Sequence, residues 1–520
     1  MKSKIIYLAA LLAFSFGCDD DLINKQDPGS GSVEAFFNNE AELIMGINGI
    51  YNALQGDFWG GSFIHIQPEF DGASDNAQTC CPWGWGFWQI ADGTLAPTTG
   101  GMASFKWDFG YQGVSKVNQM LEIIPTIEDL TAEAATKWEA ELKFLRGYFY
   151  FEMQFYYGDI PLITKVITTE EASALTRDPR ASVVTQAIED LTFAGANLEM
   201  TPNNGQLGRP TKQAALALLG KVYLYEERWA EAQTTLEQVV AMEGATLGLE
   251  PSATYGSIFD GTNEASKEIL WSLQSLDNAD EGTYVMTQYG IPGTASFNGW
   301  NGMIYSQELV DDFHMTDGLS ISTSPLYDAA DPYANRDLRL AGSFYVPGDT
   351  WNGTVLTPEL NFLYNGDRIT AVAAAAEVLV RKWIQTYDLV GGNSNASGVD
   401  YVVMRYADVL LHHAEAANEA GNTAAALASL NKIRNRAGLP DTPGGTSQAD
   451  LRDIIRHERR VEFVMEGTRY QDLLRWRTAE TVIPSNTLGP KTFDASKNYL
   501  WPIPQTAMDA NSGLVQNPGY

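Results

Sequence analysis

Cysteine and histidine are scarce in this chain of 520 residues, which contains three cysteines and five histidines. Structural zinc sites draw four ligands largely from these two residue types, often as two cysteine pairs. Here Cys18 stands alone, Cys80 and Cys81 are adjacent, and no second pair exists. The spacing of an EF-hand calcium loop is also absent. The sequence therefore favours neither a metal centre nor a cofactor.

The adjacent cysteines leave two interpretations open. In an oxidising compartment, two leftover thiols tend to pair. Consecutive Cα atoms are about 3.8 Å apart, which is below the usual disulfide range. A Cys80–Cys81 bond would therefore be strained and would impose a tight turn. Two free, buried thiols are the alternative.

Positively charged residues are also few. The chain contains 34 Lys and Arg but 65 Asp and Glu, which gives a formal net charge of −31. Nucleic acid is bound largely through Lys and Arg on phosphates, so a nucleic-acid partner is excluded. Polyanionic ligands are disfavoured by the same surface repulsion. A hydrophobic content of 44% is nevertheless that of a globular protein with a sizeable core.

Apolar runs are short, and the one at the N-terminus, IIYLAALLAFSFG, falls below the roughly 20 residues of a membrane span. Following Lys2 and Lys4, it predicts a signal peptide over residues 1–17. The sequence SFGC (residues 15–18) resembles a lipobox, which predicts lipidation of Cys18; an ordinary signal peptide is the alternative. Several acyl chains anchor stably because each buried methylene contributes about 0.8 kcal/mol.

Three aspartates, Asp19 to Asp21, follow the predicted lipidation site. Anionic lipid repels such a run, so it is not a lipid-binding arm. It resembles the acidic tag that sends lipoproteins to the cell surface in some Gram-negative bacteria. The expected location is the outer membrane, at the cell surface, held by the lipid anchor only.

Helical periodicity dominates both ends of the mature chain. Residues 215–240 and 406–433 show tetratricopeptide spacing, with small residues where two helices cross. The two segments match at a constant offset, which pairs Leu216 with Leu410, Gly220 with Ala414, Ala232 with Ala426 and Leu236 with Leu430. Further helices are predicted over residues 41–54, 114–124, 132–157 and 451–467, the last with a solvated or salt-bridged face. Residues 244–400 are instead rich in Gly, Asn, Pro and aromatics, as in binding loops on a rigid support.

The C-terminal part strongly resembles the SusD/RagB family of surface lipoproteins, which capture nutrients, usually glycans, for import. The resemblance extends over nearly the whole mature chain, in the expected order. It rests on MRYADVLLHHAEAANEAGN, SLNKIRNRAGLP, LRDIIRHERRVEFVMEGTRYQDLLRW and the ending LWPIPQTAMDANSGLVQNPGY, with ELVDDFHMTDG, NRDLRL and FDGASDNA further upstream.

This resemblance implies a mainly α, SusD-like fold, with four tetratricopeptide-like helix pairs supporting an irregular, loop-rich ligand face. The expected regions are 18–243 (N-terminal helical), 244–400 (loop-rich) and 401–520 (C-terminal helical). The implied partner is a SusC-like TonB-dependent outer-membrane transporter, which the lipoprotein covers like a lid. No catalysis is implied. Structural calcium occurs in the family, but no spacing in this sequence supports it.

The stretch SDNAQTCCPWGWGFW (residues 74–88) is the first candidate for ligand contact. A flat Trp matches the apolar face of a sugar ring, and polar side chains can bond its hydroxyl rim. Trp83 and Trp85 are the predicted platforms, with Asp75 and Asn76 as rim partners. If the stretch is extended, Trp83, Trp85 and Phe87 point to one side. Rings that fill the core beneath a loop are the alternative, and Phe87 or Trp88 is expected to pack inward.

A second aromatic group is expected from the loop-rich region. Trp300 in FNGWNG and Tyr289 in TQYGIPG lie among glycines and are predicted to contact ligand. Trp271 and Trp383 lie in regular apolar stretches and are expected in the core. Trp476 is expected to belong to the scaffold.

The predicted ligand is an oligo- or polysaccharide, a neutral glucan rather than a sulfated or uronate-rich chain because of the acidic surface. A β-glucan such as laminarin is favoured, with an α-glucan next. A peptide-importing member of the same family is the main alternative, but peptide recognition needs backbone grooves, and the Trp-rich loops favour sugars. A glycoside hydrolase needs two carboxylates about 5–9 Å apart, and no acidic pair here has a distinguishing pattern.

Replacing Cys18 with Ser is expected to abolish lipidation and leave the protein soluble in the periplasm. Replacing Asp19, Asp20 and Asp21 together with Ala should keep the lipid but lower the surface-exposed fraction, measured by protease shaving of intact cells. If shaving of the triple-Ala variant equals that of wild type, the acidic run is not a surface tag.

Overall fold

The computed structural model describes residues 36–55, 63, 67–79, 85–277, 282–283, 285–291, 299–357, 375–385 and 397–520. Cys18, the aspartate run that follows it, Cys80 and Cys81 lie outside these residues. Their predicted lipidation, surface signal and oxidation state therefore stay predictions.

Helices dominate the described ranges. In chain order they are α1 (Glu40–Gln55), α2 (Phe87–Ala91), α3 (Met102–Ile123), α4 (Ala132–Tyr157), α5 (Thr169–Ser173), α6 (Arg180–Asn197), α7 (Lys212–Tyr225), α8 (Trp229–Val240), α9 (Val285–Tyr289), α10 (Gln307–Asp312), α11 (Leu338–Ser343), α12 (Tyr406–Glu419), α13 (Thr423–Arg436), α14 (Gln448–Glu462), α15 (Thr468–Arg475), α16 (Ala479–Val482) and α17 (Gln505–Ala510). Within these ranges, no helix is long and apolar enough to cross a membrane.

The strands are short and pair only in twos. They are β1 (Ala77–Thr79), β2 (Ile269–Leu273), β3 (Met303–Tyr305), β4 (Phe344–Tyr345), β5 (Thr350–Trp351), β6 (Thr354–Val355), β7 (Leu379–Val380) and β8 (Tyr401–Arg405). The described pairs are β1–β3, β2–β8, β4–β7 and β5–β6, all antiparallel.

Eight of the described helices form a continuous stack in which each packs on its predecessor and its successor. In order they are α1, α3, α4, α6, α7, α8, α12 and α13. Taken two at a time, they are four helix pairs, so the predicted mainly α architecture is confirmed. Helix α14 lies outside the stack and packs against α12 and α10. It thus connects the stack to the loop-rich region 244–400, which we call the irregular layer.

The repeat alignment is confirmed at the helix crossings. A Cβ atom added to Gly220 of α7 would lie 2.5 Å from Leu236 Cδ2 of α8, so only glycine permits this approach. The matching positions in the second pair, Ala414 and Leu430, are fully buried. Small residues at these positions therefore allow the helices to pack closely.

Helix boundaries follow local signals where those are strong. Helix α4 begins after Thr131, whose Oγ1 accepts a hydrogen bond from the backbone N–H of Ala134 at 3.1 Å. It ends before Gly158, whose φ of 74° stops the helix. These bounds match the predicted 132–157. Helix α3 begins at Met102 rather than at the predicted residue 114. Closely spaced aromatic residues obscure the apolar periodicity of its N-terminal half, so the sequence analysis missed those turns. Helix α14 ends at Glu462 rather than at 467, because a turn with Met465 at a φ of 66° follows.

The charged face of α14 is buried and salt-bridged rather than solvated. Glu458 and Glu462 are fully buried and Arg459 is 1% exposed. Arg459 Nε donates to Asp472 Oδ2 at 2.8 Å, and Arg339 Nη2 donates to Glu458 Oε2 at 2.7 Å. These bonds join α14 to α15 and to α11.

Ala426, fully buried on α13, tests the helix stack. Replacement with Phe should overpack the crossing and lower the free energy of unfolding by about 1–3 kcal/mol or more, as measured by urea unfolding. The matched control is Ala424→Phe, since Ala424 is exposed on the same helix. Equal stability of the two variants would show that Ala426 does not lie at a tight crossing.

Candidate functional site

The β1–β3 ladder brings the chain segments next to the two predicted aromatic groups to the same end. Its register pairs Ala77 with Tyr305 and Thr79 with Met303. In an antiparallel pair, the chain leaving β1 and the chain entering β3 lie at the same end. The Trp-rich stretch follows Thr79, and Trp300 precedes Met303. Trp88 reinforces the arrangement, because its Nε1 donates to the backbone oxygen of Thr79 at 3.2 Å.

Trp85 occupies a turn, not an extended strand. Its φ is 46°, and Gly86 follows with a φ of 83°. The carbonyl oxygen of Trp85 accepts a hydrogen bond from Met102 N at 2.8 Å, which ties the turn to the start of α3. Helix α2 then begins at Phe87. The predicted one-sided array of Trp83, Trp85 and Phe87 is therefore wrong from Trp85 onward, and Trp83 itself lies outside the described residues.

Phe87 packs inward, as the sequence predicted. It is fully buried and meets Phe70 edge to face, with ring centroids 4.9 Å apart. Phe70 in turn stacks on Tyr156 and Trp501 in the core. The buried anchor of the Trp-rich stretch is thus Phe87, while Trp85 is partly exposed and packs on the edge of the core.

An aromatic surface extends from Trp85 along α3. The ring of Trp85 lies 5.9 Å from that of Phe105 at a tilt of 55°, and Phe105 lies 6.1 Å from Phe109 at 59°. All three side chains are partly exposed. We refer to Trp85, Phe105 and Phe109 as the aromatic surface. Phe105 and Phe109 were not among the predicted contacts, although their spacing of four on one helix face could have pointed to them.

Trp300 is partly exposed, and the backbone on both sides of it is held by hydrogen bonds. The N–H groups of Gly299, Asn301 and Gly302 donate to the carbonyls of Ile291, Gly290 and Gln288 at 3.0, 3.1 and 2.7 Å, respectively. A Cβ on Gly302 would lie 2.5 Å from the oxygen of Gln288, so glycine is required at this approach. Trp300 therefore stays a predicted contact, held at the same end of the β1–β3 ladder as the Trp-rich stretch.

Tyr289 does not fit its predicted role. It is 2% exposed, and burial raises the pKa of its hydroxyl well above the usual value. The backbone of residues 299–302 covers this segment through the bonds just described. We therefore withdraw Tyr289 from the ligand set, because a ring in the core cannot stack on a sugar.

Asp75 and Asn76 also face the interior. Asp75 is 5% exposed and accepts hydrogen bonds from Arg469 Nε and Nη2 at 2.8 and 3.0 Å, with Arg460 Nη2 a further 3.0 Å away. Burial alone would raise the pKa of Asp75, but the charges of Arg469 and Arg460 hold it well below the usual range. Asn76 is fully buried and accepts from Arg460 Nε at 2.9 Å. Both side chains thus tie the N-terminal segment to α14 and α15, and we withdraw them as rim partners.

Trp271, Trp383 and Trp476 lie where the sequence predicted. Trp271 and Trp383 are each 1% exposed and belong to the core. Trp476 follows α15, and its Nε1 donates to Glu415 Oε1 of α12 at 2.8 Å, a scaffold contact.

A stack of helix pairs that supports an aromatic surface defines a helical-repeat binding scaffold, and comparison with known proteins specifies which one. The profile described as "SusD family" matches residues 267–520, and that described as "Starch-binding associating with outer membrane" matches residues 69–224. SusD-like protein P2 of Formosa agariphila is 28% identical over the full length of both chains. The chain belongs to the SusD/RagB family.

Solved structures agree in fold. A SusD-like carbohydrate binding protein of Bacteroides fragilis superposes with a TM-score of 0.79 at 25% identity, covering 92% of this chain and 100% of that chain. Surface glycan-binding protein A of Bacteroides thetaiotaomicron, in complex with laminarihexaose, gives a TM-score of 0.73 at 20% identity, covering 92% and 99%.

Replacing Asp75 with Asn should leave two buried guanidinium groups without their counter-charge and cost about 3–5 kcal/mol of unfolding free energy. The pKa of Asp75 is depressed in the folded state, so its contribution is present above the unfolded value of about 3.9 and is lost as pH falls further. The difference between wild type and variant, measured by urea unfolding, should therefore shrink below about pH 4.

The control is Asp129→Asn, since Asp129 is exposed. Loss of glycan binding by the Asp75 variant at unchanged stability would return Asp75 to the ligand set.

Proposed function

We propose that this protein is a cell-surface lipoprotein of the outer membrane that captures a neutral glucan and delivers it to a SusC-like, TonB-dependent transporter. The observation that carries the proposal is the aromatic surface. Its Trp85 belongs to the stretch that leaves β1 at the end of the ladder where the chain from Trp300 enters β3. Binding, not catalysis, is the proposed activity.

The chemistry of the aromatic surface fits sugar rings. Aromatic side chains offer large, rigid, apolar faces and lose little conformational entropy when they bind. The tilts of 55° and 59° between successive rings give a curved contact rather than a flat one. A curved series of faces suits a glucan whose successive rings turn relative to one another, as in laminarin, better than a flat ribbon.

The charge of the chain supports a neutral ligand. With a net charge of −31, the surface repels sulfated and uronate-rich polymers at long range. The laminarihexaose complex of the Bacteroides thetaiotaomicron protein supports a neutral β-glucan as the specific ligand. An α-glucan is the next candidate, in keeping with the family description as starch-binding.

Location and partner follow from the N-terminal sequence and the family. The description "associating with outer membrane" supports the predicted location. We propose that acyl chains on Cys18 hold the protein there and that the acidic run after Cys18 directs it to the outer face. The proposed transporter partner gives the captured glucan a route inward.

Single replacements of Trp85, Phe105 or Trp300 with Ala should weaken laminarin binding strongly and lower the melting temperature only slightly, because the rings are only partly buried. One lost platform should cost roughly 1–3 kcal/mol, by analogy with stacked bases. The dissociation constant should therefore rise about five- to 150-fold, measured by affinity gel electrophoresis and calorimetry. Trp83→Ala, made in parallel, tests the remaining predicted platform.

Trp229→Ala is the matched control, because Trp229 is a partly exposed Trp on α8, in the helix stack. It should leave laminarin affinity unchanged. A fall in melting temperature with binding intact for Trp85→Ala and Trp300→Ala would place these rings in the core and contradict the proposal.

A further inference from the structure

A cleft lies between the start of α6, the turn from α7 to α8, the end of α15 and the C-terminal segment. Its volume is about 690 Å³, within the range of small-molecule sites. None of its lining residues belongs to the aromatic surface or to the β1–β3 ladder. Any ligand of this cleft would therefore bind apart from the proposed glucan.

The lining of the cleft has an excess of positive charge, whereas the protein as a whole is negatively charged. Although the whole chain carries −31, cationic side chains outnumber carboxylates on the cleft lining. The cationic residues are Arg177, Arg180, Arg475, Arg477 and Lys497, and the acidic ones are Asp159, Glu226 and Glu227. A cleft lined by an excess of one sign concentrates ions of the opposite sign.

Two of the five cations are paired with carboxylates of the protein itself. Arg180 forms a two-pronged pair with Glu226. Arg475 donates to both oxygens of Glu415 and to Asp472. These two guanidinium groups therefore serve the scaffold.

Arg177 is held by hydrogen bonds to backbone oxygens and forms no ion pair with a carboxylate of the described residues. Its N–H groups donate to the backbone oxygens of Asp159, Val515 and Tyr157 at 2.6, 2.7 and 3.0 Å. Its positive charge therefore stays on the cleft while its geometry is fixed.

Arg477 and Lys497 are the cations left for a ligand. Among the residues that the structure describes, neither has a carboxylate at ion-pairing distance. Arg477 Cζ lies 4.3 Å from the ring centroid of Tyr499, and Lys497 Nζ lies 4.5 Å from that of Tyr520. The carboxylate of Glu480 accepts the hydroxyl of Tyr499 and attracts Arg477, and that of Asp494 attracts Lys497, but neither carboxylate reaches ion-pairing distance of the cation. A guanidinium over a ring still has its edge N–H groups available to an oxyanion.

We propose that Arg477 and Lys497 form a subsite for an oxyanion carried on a sugar ring, a carboxylate or a sulfate ester. The partly exposed ring of Tyr499 also lines the cleft and adds apolar surface for the sugar. The proposal goes beyond glucan capture, because it gives the protein a second, chemically different saccharide site.

The test is calorimetry on the purified protein with three probes: a disaccharide ending in glucuronic acid, the same disaccharide ending in glucose, and a sulfated form of the latter. At least one acidic probe should bind, at least tenfold more tightly than the neutral one, and more weakly as salt rises. Binding of one acidic probe rather than the other identifies the oxyanion.

Arg477→Gln and Lys497→Gln should each weaken binding of that probe about tenfold, since a hydrogen bond to a charged group is lost. Lys212→Gln, which removes the same charge outside the cleft, should not. Laminarin affinity should be unchanged in all three variants, which separates this subsite from the proposed glucan site. Equal affinity for neutral and acidic probes, no binding of either acidic probe, or wild-type binding by both cleft variants would overturn the proposal.

Discussion

The carboxylate of Glu462 is fully buried and holds the helix stack and the irregular layer together. It pairs with Arg436 of α13, Arg405 of β8 and Arg339 of α11. Burial alone would raise its pKa, but these three guanidinium groups hold the pKa well below the usual value. Removal of one partner from such a buried group typically costs about 3–5 kcal/mol of unfolding free energy. Glu462 and its three arginine partners, which we call the junction, therefore hold the helix stack and the irregular layer in one arrangement.

The position of the aromatic surface depends on this junction through a short chain of contacts. Just beyond Glu462, the N–H of Met465 donates to Asp71 Oδ2 at 2.7 Å. Lys491 Nζ donates to the carbonyls of Gly72 and Ala77 at 2.8 and 2.5 Å. These bonds fix the segment that becomes β1, and β1 pairs with β3. Buried charged groups thus fix the position of the backbone that carries the exposed rings. None of these charged groups belongs to the aromatic surface itself.

The sequence predicts the repeat architecture well because its signals are local or periodic. The offset between the two helix pairs, the bounds of α4 and the burial of Trp271 and Trp383 all depend on neighbours in the chain. Asp75 could not be assigned in this way, because its partner Arg469 lies 394 residues away. In the sequence, a carboxylate beside tryptophans resembles a sugar contact, and only the fold reveals the arginines that neutralise it.

The candidate site was predictable in part for the same reason. The Trp-rich stretch and Trp300 stand out by composition, but the pairing of β1 with β3 that brings them together is long-range. Tyr289 lies among glycines, as Trp300 does, and only packing distinguishes the buried ring from the half-exposed one. Phe105 and Phe109 belong to a helix whose N-terminal half lacks a clear apolar stripe, so they join the aromatic surface only when Trp85 is placed against them.

A crystal structure of the protein with laminarihexaose would test the central claim most directly, since it shows which rings the sugar touches. The account predicts glucose units stacked on Trp85 and on at least one of Phe105 and Trp300, at the end of the β1–β3 ladder. A hexasaccharide bound elsewhere, with those rings untouched, would contradict it.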